Sequence, residues 1–288
     1  MNLTFLLSSI QLIGVLLPLV SFVAMFRRQQ IKASMNYMFS NMSLMLTNLG
    51  CLIINASYWL LIWSKTEDGA FIALKMEYLG NVLFYLSFIL FIATYFKMQT
   101  KAMVVVPMLL QSVLDGLLVI NLWIDDPFHV VFKNLEFGKW DVFSVTYMRA
   151  EPGVLYLVRY CTLCMILFWG LLYTLLKMFR MRIPQERNNM AKLAGAEFVI
   201  CMSLQIMLFF RVPFDVVPIS AALSILSIIL GVLKGEFFNF ADQGREWVIE
   251  HSDNVFVIVD SLYGYLDANP KAKRVFPELP FMGKNKQL

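Results

Sequence analysis

Residues 71–96, FIALKMEYLGNVLFYLSFILFIATYF, decide the fold. The run carries charge only at Lys75 and Glu77, both near its start. It exceeds the roughly 20 apolar residues that an α-helix needs to cross a bilayer. Its polar residues are also ordered. Glu77, Asn81 and Tyr85 stand at i, i+4 and i+8, which is one face of a helix. The stretch reads as a membrane helix with a polar stripe.

Runs of the same kind recur on both sides of it. Seven spans are predicted, at 5–26, 37–63, 71–96, 102–124, 153–179, 191–211 and 217–238. Hydrophobic residues make up 59% of the chain and charged residues 15%, too little charge for an ordinary soluble domain. The net charge of +4 is small, and the basic residues sit in short clusters between apolar runs. Nucleic-acid binding is therefore not expected. The clusters give an orientation. Arg27, Arg28, Lys32, Lys97, Lys101, Lys177, Arg180, Arg182, Arg187, Lys192 and Lys234 fall on one side, and acids dilute the basic residues on the other. This predicts an outer N-terminus and a cytoplasmic C-terminus. Arg27 and Arg28 follow the first apolar run, the wrong order for a cleaved signal peptide. Pro184 and Gln185 are assigned to an inner connection.

The long connection 125–152 is rich in Val, Phe, Trp, Tyr and Thr around Gly138. It predicts an extracellular β-hairpin between spans four and five, with residues 128–147 as a lid on the bundle; a disordered loop is the alternative. Past the last span, Phe237, Phe240 and Trp247 mark an amphipathic connector. The stretch VFVIVDSLYGYLDANPKAKRVF (255–276) then reads as strand, turn, strand and helix, with Asn269 capping the helix ahead of Pro270. The expected organisation is a sensor bundle over 1–238, a connector over 239–254 and an incomplete soluble domain over 255–288.

Ionisable residues inside spans are costly and mark candidate sites. Tyr156, Arg159 and Tyr160 share one face of the fifth span, as Glu77, Asn81 and Tyr85 share one face of the third. These six residues are the predicted ligand site, in an outward-opening cavity among spans three, five, six and seven. Glu77 and Arg159 are expected to pair there; a bundle-stabilising ion pair without a ligand is the alternative. Asn41, Asn48 and Asn55 repeat every seven residues, as expected of hydrogen bonds between helices. Asp115, in mid-span, is expected to be neutral or hydrogen-bonded, and Glu197 to meet the basic connection before its span. Cys161 and Cys164 read as small packing residues, without a second ligand pair for a metal.

The whole chain resembles the seven-transmembrane sensor region found N-terminal to bacterial histidine kinases and diguanylate cyclases, followed by the start of a PAS domain. MEYLGN (76–81), the outer FHVVFKNLEFGKWDVFSVTY with EPGVLYLVRY, and NPKA (269–272) carry the resemblance. It implies an all-α, seven-transmembrane bundle with a truncated cytoplasmic PAS start, in a bacterial inner membrane. It also implies a receptor that binds a small amphipathic ligand and signals through span seven to an output domain. A homodimer through the connector and the output domain is one expectation, and connector aromatics laid by a single copy on the inner membrane face are the alternative. No cofactor, metal or catalytic residue is expected. The main rival is a seven-span transporter, but no repeat of three-span units is visible. A retinal pigment would need a mid-span lysine, whereas Lys234 lies at the inner end. His129 and His251, on opposite sides, exclude a histidine-based site.

Overall fold

The computed structural model describes residues 3–28, 35–98, 100–140, 145–181, 184–210, 215–233, 249, 251–259 and 265–278. The chain divides into two compact units, Met1–Phe237 and Phe238–Leu288. In the first, the helices are α1 (Leu3–Arg28), α2 (Met35–Trp63), α3 (Glu67–Tyr95), α4 (Ala102–Trp123), α5 (Val154–Arg180), α6 (Pro184–Phe210) and α7 (Val217–Leu233). Strands β1 (Phe132–Trp140) and β2 (Val145–Pro152) separate α4 from α5. Stretches of α2 to α6 are long and apolar enough to cross a membrane, whereas the apolar parts of α1 and α7 are shorter, Ser8–Val23 and Val217–Gly231.

Two helices start earlier than the apolar pattern predicts. Thr66 caps α3 by accepting a hydrogen bond from Gly69 N at 3.2 Å, and Glu67 and Asp68 follow in the first turn, where the helix dipole favours acids. Pro184 opens α6 instead of lying in a connection. At the first helical position its missing N–H costs nothing.

The helices form a ring in which chain neighbours touch and α7 closes against α1 and α2. The closest contact is between α2 and α3. A Cβ on Gly50 would lie 2.5 Å from Phe84 N, and one on Gly80 would lie 2.9 Å from Ile54 N. Glycine at these two positions lets the backbones approach, as in other lipid-embedded helix pairs. The asparagine seam of α2 ties the helices together. Asn48 Nδ2 donates to Pro18 O at 2.9 Å, and Asn55 Nδ2 donates to Pro218 O at 3.0 Å. Asn55 Oδ1 accepts from Gln11 Nε2 at 3.0 Å, so this one residue joins α1, α2 and α7. Asn41 is buried on the same helix. By contrast α4 touches only α3 and α5 to any extent and leaves a long apolar face outward.

β1 and β2 pair antiparallel from Phe132↔Pro152 to Trp140↔Val145. Gly138 is not at the turn between them but inside β1, opposite Tyr147, and the Tyr147 ring lies 2.8 Å from where a Cβ would stand. The hairpin is fastened to the ends of the helices. Thr146 Oγ1 donates to Ser64 O at 2.8 Å, and Phe137 packs on the cluster of Tyr58, Leu61, Ile62, Ala70 and Ala73.

In the second unit, β3 (Val257–Val259) and β4 (Tyr265–Ala268) pair antiparallel and lead into α8 (Pro270–Val275). Asn269 organises it. Its Oδ1 accepts from Ala272 N at 2.9 Å, capping α8, and from Phe256 N at 3.1 Å. Its Nδ2 donates to Ile249 O at 2.9 Å and Asn254 O at 2.8 Å. The connector aromatics Phe237, Phe240 and Trp247 lie outside the described residues.

Candidate functional site

The base of the hairpin places one wall of the site. Asp126, buried after α4, accepts backbone hydrogen bonds from Val130 (3.0 Å), Val131 (3.0 Å) and Phe132 (2.8 Å). Gly153 N and Leu155 N then donate to Val131 O (2.7 Å) and Val130 O (2.9 Å), which fixes the start of α5. Phe132 therefore sits between α3 and α5, its ring 5.7 Å from Tyr78 and 5.9 Å from Tyr156. The sequence reading missed Asp126. Its only local signal was a doublet of acids at the end of a span.

Beneath this aromatic roof, the six predicted residues come together in part. Glu77, Tyr85, Arg159 and Tyr160 are buried, and Asn81 and Tyr156 are half-buried. Tyr156 stacks on Tyr160 at 6.0 Å and is hydrogen-bonded to Tyr78. The Tyr160 hydroxyl donates to Leu204 O and so is committed to α6. Arg159 lies within electrostatic reach of Tyr78, Tyr85 and Tyr156.

The expected pairing of Glu77 with Arg159 is not the one found. Arg159 Nε donates to Asp115 Oδ1, which also accepts from Gln111 Nε2 at 3.1 Å. Asp115 is thus the counter-ion of Arg159, reached from α4. Glu77 is hydrogen-bonded instead to Asp215, in the connection just before α7. A hydrogen bond between two carboxyl groups needs a proton on at least one of them. Asp215 N donates to Tyr58 Oη and Asp215 Oδ1 accepts from Val217 N, both at 2.7 Å, so this acid is also locked to α2 and to the first turn of α7. Burial holds the Asp215 carboxyl above the usual carboxylate range, against the pull of the Val217 N–H and the Glu77 carboxyl. Asp215 too was missed in the sequence. An acid directly ahead of an apolar run is a helix-start signal, but nothing local shows that it meets Glu77.

Glu197 also differs from expectation. It is buried and accepts from Thr174 Oγ1 at 3.0 Å, joining α5 to α6 rather than meeting a basic connection. Cys161 is exposed on α5 instead of packed, and Cys164 Sγ accepts from Gln205 Nε2 at 3.5 Å.

Four atoms of the polar cluster are buried without a hydrogen-bond partner: Asn81 Oδ1, Tyr85 Oη, Asp115 Oδ2 and Arg159 Nη2. Groups of this kind normally find a partner. The structure also describes an apolar cavity of about 450 Å³ between α3, α4 and α5, lined by residues such as Ile89, Phe96, Pro107, Leu110 and Trp169. None of the six predicted residues lines it, and it shares only α3 and α5 with the predicted cavity, with α4 in the place of α6 and α7. Thr162 on its wall donates to Gln111 Oε1 at 2.8 Å, so it borders the Asp115 network.

A family described as the N-terminal 7TM region of histidine kinase matches residues 9–241. The chain belongs to that family. It is a multi-pass membrane protein of a sensor class. The match runs from within α1 through α7, and with it Glu77, Arg159 and Asp215, and stops before β3. No curated protein matches the chain.

Proposed function

We propose that this sensor binds a small molecule at the polar cluster beneath the hairpin and passes the resulting shift through α7 to a cytoplasmic output. The observation that carries the reading is the set of unpartnered buried atoms on Asn81, Tyr85 and Arg159, three of the residues that sequence alone marked as a site. In a membrane interior such atoms are costly, and a ligand that bonds them in one helix arrangement better than another shifts the population between arrangements. Asp215 ties that cluster to the first turn of α7. The chain crosses the membrane seven times, with the N-terminus and hairpin outside and the second unit inside. That unit begins a PAS domain, and a histidine kinase or diguanylate cyclase output receives the signal. The chain itself has no catalytic role, and the ligand is amphipathic.

Thermal-shift screening of the purified protein tests the binding claim, because a ligand for the native state raises the apparent melting temperature. The expected result is a stabilising compound whose effect weakens in Y85F. A set of stabilisers indifferent to Y85F and to R159K would overturn this site.

A further inference from the structure

Three small residues on neighbouring helices leave a hollow in the bundle. Ala93 of α3, Pro107 of α4 and Gly170 of α5 all line the apolar cavity of about 450 Å³. A Cβ built on Gly170 would meet nothing within 4 Å, so this wall faces open space. Along α5 the cavity reaches from Thr162 to Tyr173, about 16 Å of helix. Its volume suits one small molecule.

The wall selects an alkyl chain. Among the residues that line it, only Thr162, Trp169 and Tyr173 carry side chains that form strong hydrogen bonds, and the Thr162 hydroxyl is engaged with Gln111 Oε1 at 2.8 Å. Met103, Val106, Leu110, Met165 and Trp169 line the cavity and are also exposed on α4 and α5. In a membrane-spanning bundle that surface meets lipid, so the entrant comes from the bilayer.

An apolar wall cannot tell one alkyl chain from the bilayer's own, because lipid tails are as apolar as the side chains. The head group must discriminate, and the charge at one end of the cavity indicates which head. At the end where α3 gives way to α4, the Phe96 and Tyr173 rings meet edge to face at 5.0 Å. Lys97 stands between the lining residues Phe96 and Met98, and Lys101 N donates to Met98 O at 3.0 Å. Lys177 Nζ lies 5.7 Å from the Tyr173 ring centroid. No Asp or Glu occurs in residues 78–114 or 154–180, the stretches that supply every wall. An anionic head at this end, with its chain running toward Thr162, meets both conditions. The cavity takes one chain, and the second tail of a phospholipid would be left outside.

We propose that the cavity between α3, α4 and α5 binds a single-chain anionic amphiphile, a fatty-acid carboxylate, with its head among Lys97, Lys101 and Lys177 and its chain along Gly170. The site is separate from the polar cluster beneath the hairpin, so its failure would leave the ligand reading of that cluster standing. Thr162 and Gln111 connect its far end to the Asp115–Arg159 pair.

The test uses the full chain in phosphatidylcholine nanodiscs at pH 8 and a dodecanoate brominated at mid-chain, which quenches tryptophan on contact. Trp169 on the cavity wall is the reporter. Quenching should contain a saturable component above the linear background from probe dissolved in the bilayer, and that component should be absent in W169F. Unlabelled dodecanoate should displace it, and dodecylammonium should not. G170F, which fills the cavity, should abolish it with Trp169 still present. The double variant K101Q/K177Q should weaken the apparent affinity by about threefold or more, the range for two solvent-facing charge pairs, and carries the test if G170F does not fold. Linear quenching alone, equal in wild type and W169F, would overturn the proposal and leave the cavity to bulk lipid tails or to a second copy of the chain. Equal displacement by dodecylammonium would overturn the charge selection. A saturable signal erased by phosphatidylglycerol in the disc would assign the cavity to a two-tailed lipid and overturn the single-chain claim.

Discussion

Arg159 Nε donates to Asp115 Oδ1, and this bond joins the first turns of α5 to the middle of α4 inside the bundle. Both side chains are almost wholly buried, at 4% and 0% exposure. A pair in that setting is weak evidence for net stability, but it is costly to break on one side, because the other charge is left uncompensated. Arg159→Ala should therefore destabilise the protein by about 3–5 kcal/mol, and the double change Arg159→Met with Asp115→Leu should cost far less. Reversible unfolding in mixed detergent measures both. Equal losses from the single and double variants would contradict the pairing.

Asp215 gives a pH dependence with a defined sign. Its proton is held more tightly in the folded protein, because burial raises its value. The stability this adds is complete below the unfolded carboxylate value, about 3.9, and is lost as pH rises through the raised folded value. Wild-type melting temperature should fall with rising pH across that window relative to D215N, whose side chain does not titrate. Two parallel profiles would show that Asp215 is not the group responsible.

Asn55 is predicted to matter through its partners. Asn55→Ala removes the donor to Pro218 O and the acceptor for Gln11 Nε2. Interhelical hydrogen bonds in membranes are worth about 0.6–2 kcal/mol each, so a loss of about 1–3 kcal/mol is expected in the same unfolding assay. Asn55→Asp keeps only the acceptor and should recover part of it.

The α2–α3 contact can be tested with an internal control. Gly50→Ala puts a methyl group 2.5 Å from the backbone nitrogen of Phe84, so the helices must part, at a cost of about 1–3 kcal/mol. Gly116→Ala on α4 meets nothing within 4 Å and should be neutral or stabilising by up to about 1 kcal/mol, the helix propensity gain. Similar effects at both positions would mean that the close approach does not govern stability.

What the sequence shows and what it hides follow from range. The span pattern, the asparagine seam and the Asn269 cap rest on residues a few positions apart, and local periodicity and capping chemistry report them. The face of Glu77, Asn81 and Tyr85 was visible for the same reason. Partner choice was not. Arg159 lies 44 residues from Asp115, and three buried acids were open to it, so one charge could not be assigned without the packing of α4. Asp215 looked like a helix-start residue because its local role, the bond to Val217 N, is real; its contact with Glu77 comes from the closure of the ring. Gly138 suggested a turn, but β1 uses it to seat the Tyr147 ring.

The central claim is that ligand occupancy at the cluster moves α7 relative to α3. The most direct measurement is the distance between spin labels at Ile72 on α3 and Leu223 on α7, both exposed positions, in a variant whose native cysteines are replaced. Pulsed electron paramagnetic resonance should give a distance distribution that shifts when a stabilising ligand from the thermal screen reaches saturation, and that does not shift in Y85F at the same ligand concentration. A distribution unchanged at full occupancy would contradict the account.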